Sequence, residues 1–120
     1  MNRHQLADAM IKGLHTQGVK EDRKAAYVCV SPKSGFCRAC ALGCALIGKF
    51  DGDYMKAERI YDAENMLRPA DVDFCDLFAE LLGIPPALAL EIEFKHLNGM
   101  TVQQIAAWLK SSEETEAKDV

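Results

Sequence analysis

Phe36-Cys37-Arg38-Ala39-Cys40-Ala41-Leu42-Gly43-Cys44-Ala45-Leu46-Ile47-Gly48 holds three of the chain's five cysteines and few large side chains. Taken as helical from Cys37, it places Cys37, Cys40, Cys44 and Ile47 on one stripe. Gly43 inside a helix costs about 1 kcal/mol relative to alanine, so close approach by another element is its expected compensation. Ala39, Ala41 and Ala45 reinforce that expectation. The stretch reads as a central, buried helix of small residues around which the rest of the chain packs.

Working back from it, Ser31-Pro32-Lys33-Ser34-Gly35 is a turn, with Ser34 as the expected cap of the central helix. Lys33, Ser34 and Gly35 beside a helix N-terminus form a candidate anion-binding site, although the Gly-Lys-Ser/Thr of a Walker loop is missing. Ala25 to Val30 is β-prone and reads as one short extended segment, preceded by a polar connection from Val19 to Lys24. At the start, Asn2 and Gln5 make a capping pair, and Leu6, Ala9, Met10, Gly13 and Leu14 follow at one-face spacing. His4 and His15 lie near the two ends of that helix, where solvation or the helix terminus accounts for them.

Working forward, Asp51-Gly52-Asp53 breaks the chain, and Asp53 caps a helix carrying Tyr54, Ala57, Ile60 and Tyr61 inward. Asp51 and Asp53 are spaced like the start of a calcium loop, but Met55 and Lys56 stand where a further ligand and a glycine are needed. Asp71 or Asp73 starts the next helix, with Phe74, Leu77, Phe78, Leu81 and Leu82 on one face, Cys75 half-buried at its edge, and Gly83 at its end. Pro85-Pro86 opens another, in which Ala87, Leu90, Phe94 and Leu97 form one face. Thr101 and Gln104 cap a last helix with Val102, Ile105, Ala106, Trp108 and Leu109 as its apolar surface.

The fold class that follows is mostly α: a single-domain bundle of about six short helices over residues 1–112, with an acidic, disordered tail at 113–120. The 120 residues are 49% hydrophobic and 27% charged, enough to bury a core. Of the formal charge of -4, Glu113, Glu114, Glu116 and Asp119 against Lys118 account for -3, leaving a nearly neutral body. Such a body lacks the general attraction to polyanions that nucleic-acid binding relies on. Polar residues interrupt the first stretch, so it does not read as a secretory signal, and no apolar run approaches the roughly eighteen residues of a membrane span. A cytoplasmic location is the expectation, where thiols stay reduced and an odd cysteine count argues against a disulfide framework.

Three kinds of chemistry are weighed against packing. A zinc or iron–sulfur site would use Cys37, Cys40 and Cys44, completed by Cys29 or Cys75. In one unbroken helix Cys37 and Cys44 stand about 10 Å apart, whereas sulfurs on one tetrahedral zinc lie within about 4 Å, so the helix would have to start later than Cys40. A thiol switch would use Cys37, near Lys33 and Arg38, with Cys40 as resolving partner. Leu97 to Ala106 is similar to the first helix of a helix-turn-helix, but Trp108, Leu109 and an acidic tail stand where a basic recognition helix should follow. Cysteines that pack as small hydrophobes are preferred to all three.

Cys40-Ala41-Leu42-Gly43-Cys44-Ala45-Leu46, with Thr101, Ile105, Ala106, Trp108 and Leu109, resembles small uncharacterised bacterial and phage proteins bearing a Cys-Ala-Leu-Gly-Ala helix. The resemblance implies no activity, and Cys44 departs from its alanine. The function expected is therefore that of a small accessory or regulatory protein that binds another protein or itself, without nucleic acid, membrane or cofactor. Tyr54, Tyr61, Met100 and Trp108 are the candidate contact residues.

Overall fold

The structure, a computed structural model, describes residues 1–23, 28–30, 37–68 and 73–119, with the backbone alone at 28–30 and 112–119. It opens on helix α1 (Arg3–Leu14), whose capping box is formed as the sequence specifies. Asn2 Oδ1 accepts from the Gln5 amide at 2.8 Å, and Gln5 Oε1 accepts from the Asn2 amide at 3.0 Å. Three strands follow: β1 (Val19–Glu21), β2 (Val28–Val30) and β3 (Cys37–Ala39). Then come α2 (Ala41–Lys49), α3 (Tyr54–Met66), α4 (Phe74–Leu82), α5 (Pro86–Leu97) and α6 (Val102–Asp119). The mostly helical bundle of six helices is what the periodicity predicts, with the addition of a small sheet.

That sheet corrects the reading of the central stretch. β3 lies in the middle, parallel to β1 and antiparallel to β2, with Val19 opposite Cys37 and Cys29 opposite Arg38. The helix therefore starts at Ala41, with Cys40 as its cap, rather than at Cys37 under a Ser34 cap. Alternation explains the difference: Cys37 and Ala39 are buried while Arg38 points out and meets Asp22 at 3.7 Å, the two-residue period of a strand. The supposed connection from Val19 to Lys24 contributes β1 for the same reason, because β3 offers it a ladder. The candidate anion site at Lys33, Ser34 and Gly35 lies outside the described residues. Of the expected extended segment, 28–30 is strand.

From Ala41 to Gly48 every residue of α2 is buried, so it is the centre of the bundle, hydrophobic all round. α1 crosses it in the opposite sense at a distance that only glycine permits. A side chain at Gly13 would place Cβ 1.9 Å from the Cys44 carbonyl oxygen, and one at Gly48 would place it 1.8 Å from the Ala9 carbonyl oxygen. Two short-residue pairs, Ala9 with Gly13 and Cys44 with Gly48, each spaced four apart, thus interlock backbone against backbone. Close approach of this kind is seen at Gly13 and Gly48.

The outer helices are set by their own caps. Asp53 accepts from the Lys56 amide at 3.0 Å, Asp73 from Cys75 at 2.8 Å, and Thr101 and Gln104 form a reciprocal pair at the start of α6. Gly83 closes α4 at φ 67°, the left-handed conformation that favours glycine. α6 includes 113–119. Among the described residues no helix is long and apolar enough to cross a membrane.

Replacing Gly13 or Gly48 by alanine sets a methyl against a backbone oxygen that has no rotamer with which to step aside. Each variant should lose about 1–3 kcal/mol net in denaturant melts, even though alanine gains about 1 kcal/mol in helix propensity. Midpoints at or above wild type would place α1 and α2 further apart than described.

Candidate functional site

Two regions hold the residues on which function could rest: the buried junction where β3 runs into α2, and the outward face of α5. At the junction Cys37, Cys40 and Cys44 are buried, and Cys75 reaches the same core from α4. Cys75 is 3% exposed, more deeply buried than its position beside the α4 stripe suggests. All four are free thiols. Burial pushes the Cys40 thiol up from an ordinary 9.0 to about 12, against the opposing pull of the Gly43 amide. Burial, then the neighbouring Asp73 carboxylate, takes Cys75 to about 12 as well. Cys44 is raised by burial and by the nearby Cys40, Glu21 and Cys37.

This is the reverse of what thiol chemistry needs, since the thiolate is the nucleophile and the ligand. Cys37 occupies a strand, not a helix N-terminus. The geometric condition for a metal site, a helix that starts after Cys40, is met. Even so, among the described residues no three of His, Cys, Asp and Glu gather closely enough to hold a metal ion. Cys29 stands in register with Arg38, one position away from Cys37.

The junction also holds a buried histidine paired with a part-buried carboxylate, which periodicity does not reveal. His96, near the end of α5, is 1% exposed. The Ala41 amide donates to its Nδ1 at 3.3 Å, which fixes the ring proton on Nε2, and Nε2 donates to Glu21 Oε2 at 2.8 Å. The same Glu21 oxygen accepts from the Val102 amide at 3.3 Å. Ala41 and Val102 are the first residues of α2 and α6, whose amides have no partner within their own helices. One imidazole and one carboxylate thus join strand β1 to the starts of two helices. Both ring nitrogens are satisfied, and the ring has no surface access.

The second region is on the surface. Helix α5 buries Leu88, Ala89, Ile92 and His96 and leaves Leu90, Phe94 and Leu97 55%, 66% and 56% exposed. The face drawn from the sequence through Ala87, Leu90, Phe94 and Leu97 is real, but it points to solvent. Glu91 is exposed on one flank. Glu93 on the other is half-buried, its pKa raised by burial and by Asp73.

The four aromatic and methionine candidates differ in exposure. Tyr61 is 3% exposed and packs on Phe78 with ring centroids 5.0 Å apart. Its place on the α3 stripe makes it core. Tyr54, Met100 and Trp108 are half-buried against the same core. The Trp108 ring carries the Lys95 ammonium at 4.5 Å and the Arg3 guanidinium at 5.3 Å from its centroid. Asp51 is bound to Lys12 at 2.6 Å and Asp53 caps α3, so both carboxylates of the calcium-like pair serve the helix ends. An open hollow of about 480 Å³ between Met1, Arg3, Pro85, Leu88 and Glu91 brings together one guanidinium and one carboxylate among apolar walls.

Two outcomes follow from the junction. Glu21→Ala leaves the His96 Nε2–H and the Val102 amide without their acceptor, and should cost about 2–4 kcal/mol in chemical denaturation. Loss below about 0.5 kcal/mol would show that the pair is not formed as described. Cys40 and Cys75 should resist alkylation in native protein at pH 8 and react on unfolding. Because their folded pKa values exceed the unfolded one, the folded state binds more protons above about pH 9, and stability should fall as pH climbs from 9 towards 12. Rapid native labelling at pH 8 contradicts this. No family model, curated protein or solved structure matches the chain.

Proposed function

We propose that the chain is a small accessory or regulatory protein that works by associating with another protein, and that the outward face of α5 is the contact. One observation carries this reading: Leu90, Phe94 and Leu97 stand in a row, each more than half exposed, on a helix whose opposite side is already fully used by the core. Burying a leucine or phenylalanine side chain fully is worth about 1.5–3 kcal/mol, so this row is an unspent source of binding free energy. Scattered apolar residues on a surface are ordinary, whereas a continuous row at helical spacing is the form in which helices meet partners.

The cysteines favour the same reading by supplying a packing role for themselves. Small, buried and with their ionisation disfavoured, they allow α1 and the sheet to close on α2.

A photo-crosslinking residue at position 94, introduced into the chain in cells of its own source, should give a discrete adduct that disappears when Leu90→Asp is added. The same residue at position 62, on exposed α3, serves as the control. Adducts no more frequent at 94 than at 62, or indifferent to Leu90→Asp, would exclude the α5 face.

A further inference from the structure

The exposed residues of α5 follow a heptad. Ala87 to Leu90 is three residues, Leu90 to Phe94 four and Phe94 to Leu97 three, the spacing of a, d, a and d positions in a coiled-coil seam, and all four are exposed. Glu91 then falls at an e position and Glu93 at a g position, one on each side of the seam. Buried Leu88, Ala89, Ile92 and His96 take b, c, f and c, facing the opposite way. The seam is thus presented away from the fold with its flanking positions in place.

Both flanking positions are acidic, with Arg3 and Met1 lining the hollow beside Glu91. Glu93 lies close enough to Asp73 for the second carboxylate to raise its pKa. The nearby cation of α5, Lys95, is at a b position and is turned over the Trp108 ring at 4.5 Å. We propose that the α5 face receives a cationic amphipathic helix, a partner segment with an apolar seam of its own flanked by lysine or arginine. The proposal rests on the association reading above and names its partner class.

Three alternatives fit less well. A second copy in antiparallel pairing sets Glu91 against Glu91 and Glu93 against Glu93, and in parallel pairing Glu93 meets Asn98, with no opposite charge in either. A folded domain needs about 800 Å² on each partner, whereas Leu90 to Leu97 spans about 10 Å, the contact length of one short helix. An anionic membrane surface is repelled by the acidic flanks, since interfacial helices carry lysine and arginine there.

The test uses two synthetic helical peptides with the same Leu/Ile seam, one with lysine and one with glutamate at every e and g position, titrated onto the full chain by calorimetry. The lysine peptide should bind about tenfold tighter at low salt, and the gap should narrow in high salt. Glu91→Lys with Glu93→Lys should reverse the preference, and Phe94→Asp, in protein whose circular dichroism is unchanged, should abolish binding of both. Equal affinities, or a preference unmoved by the charge reversal, overturn the cationic partner while leaving α5 as the contact. A concentration-dependent dimer in sedimentation, broken by Phe94→Asp, makes a second copy the occupant and overturns it too. Should neither peptide bind, this proposal fails, and crosslinks at position 94 then decide whether the association reading fails with it.

Discussion

The backbone contact between α1 and α2 is the constraint from which the rest of the architecture follows. Gly13 lies against the Cys44 carbonyl and Gly48 against the Ala9 carbonyl, so the two helix axes approach as closely as helices can. At that separation little room remains for large side chains, and Ala7, Ala9, Ala41 and Ala45 join the glycines in the buried set. Bulk comes from Leu6 and Met10 on α1, Leu42, Leu46 and Ile47 on α2, Phe78 and Leu82 on α4, and Ile105 and Leu109 on α6.

Burying α2 completely raises a difficulty at its start, because the first amides of a helix have no internal partners. Cys40, the cap, provides no side-chain hydrogen bond there. The remedy is brought from the far end of the sequence, where His96 Nδ1 accepts from the Ala41 amide and Nε2–H donates a hydrogen bond to Glu21. β1 is what carries Glu21 into place, since the parallel ladder sets Glu21 opposite Ala39, two residues before Ala41. The small sheet thus serves the helix bundle: it terminates α2 and, through the same carboxylate, supports the first amide of α6.

Local chemistry made most of the fold legible. Asn2 with Gln5, Asp53, Asp73, Pro86 and Thr101 with Gln104 all act as the sequence specifies, because each cap depends only on residues within three positions. Cys37-Arg38-Ala39 misled, because a three-residue strand has no period to display and exists by virtue of ladders to Val19–Glu21 and Val28–Val30 that are far off in sequence. Tyr61 shows the limit for surfaces: aromatic content alone suggested contact, but the α3 stripe turns that ring onto Phe78. His96 carried no local signal at all, since its role depends on Glu21 and Ala41 meeting it in three dimensions.

α5 shows that a face can be drawn from sequence without its direction being known. The helix has two apolar faces, Leu88, Ala89 and Ile92 on one and Ala87, Leu90, Phe94 and Leu97 on the other, and periodicity weighs both alike. What decides between them is size and polarity at the points of contact. The inward face meets the first amide of α2, which suits the hydrogen-bonded His96 beside the small Ala89. Folding therefore selects the smaller, polar-containing face and leaves the larger one outside. A helix that buries His96 while exposing Phe94 gives up apolar burial that the fold alone does not recover, and contact with another helix is the physical route by which that burial is regained.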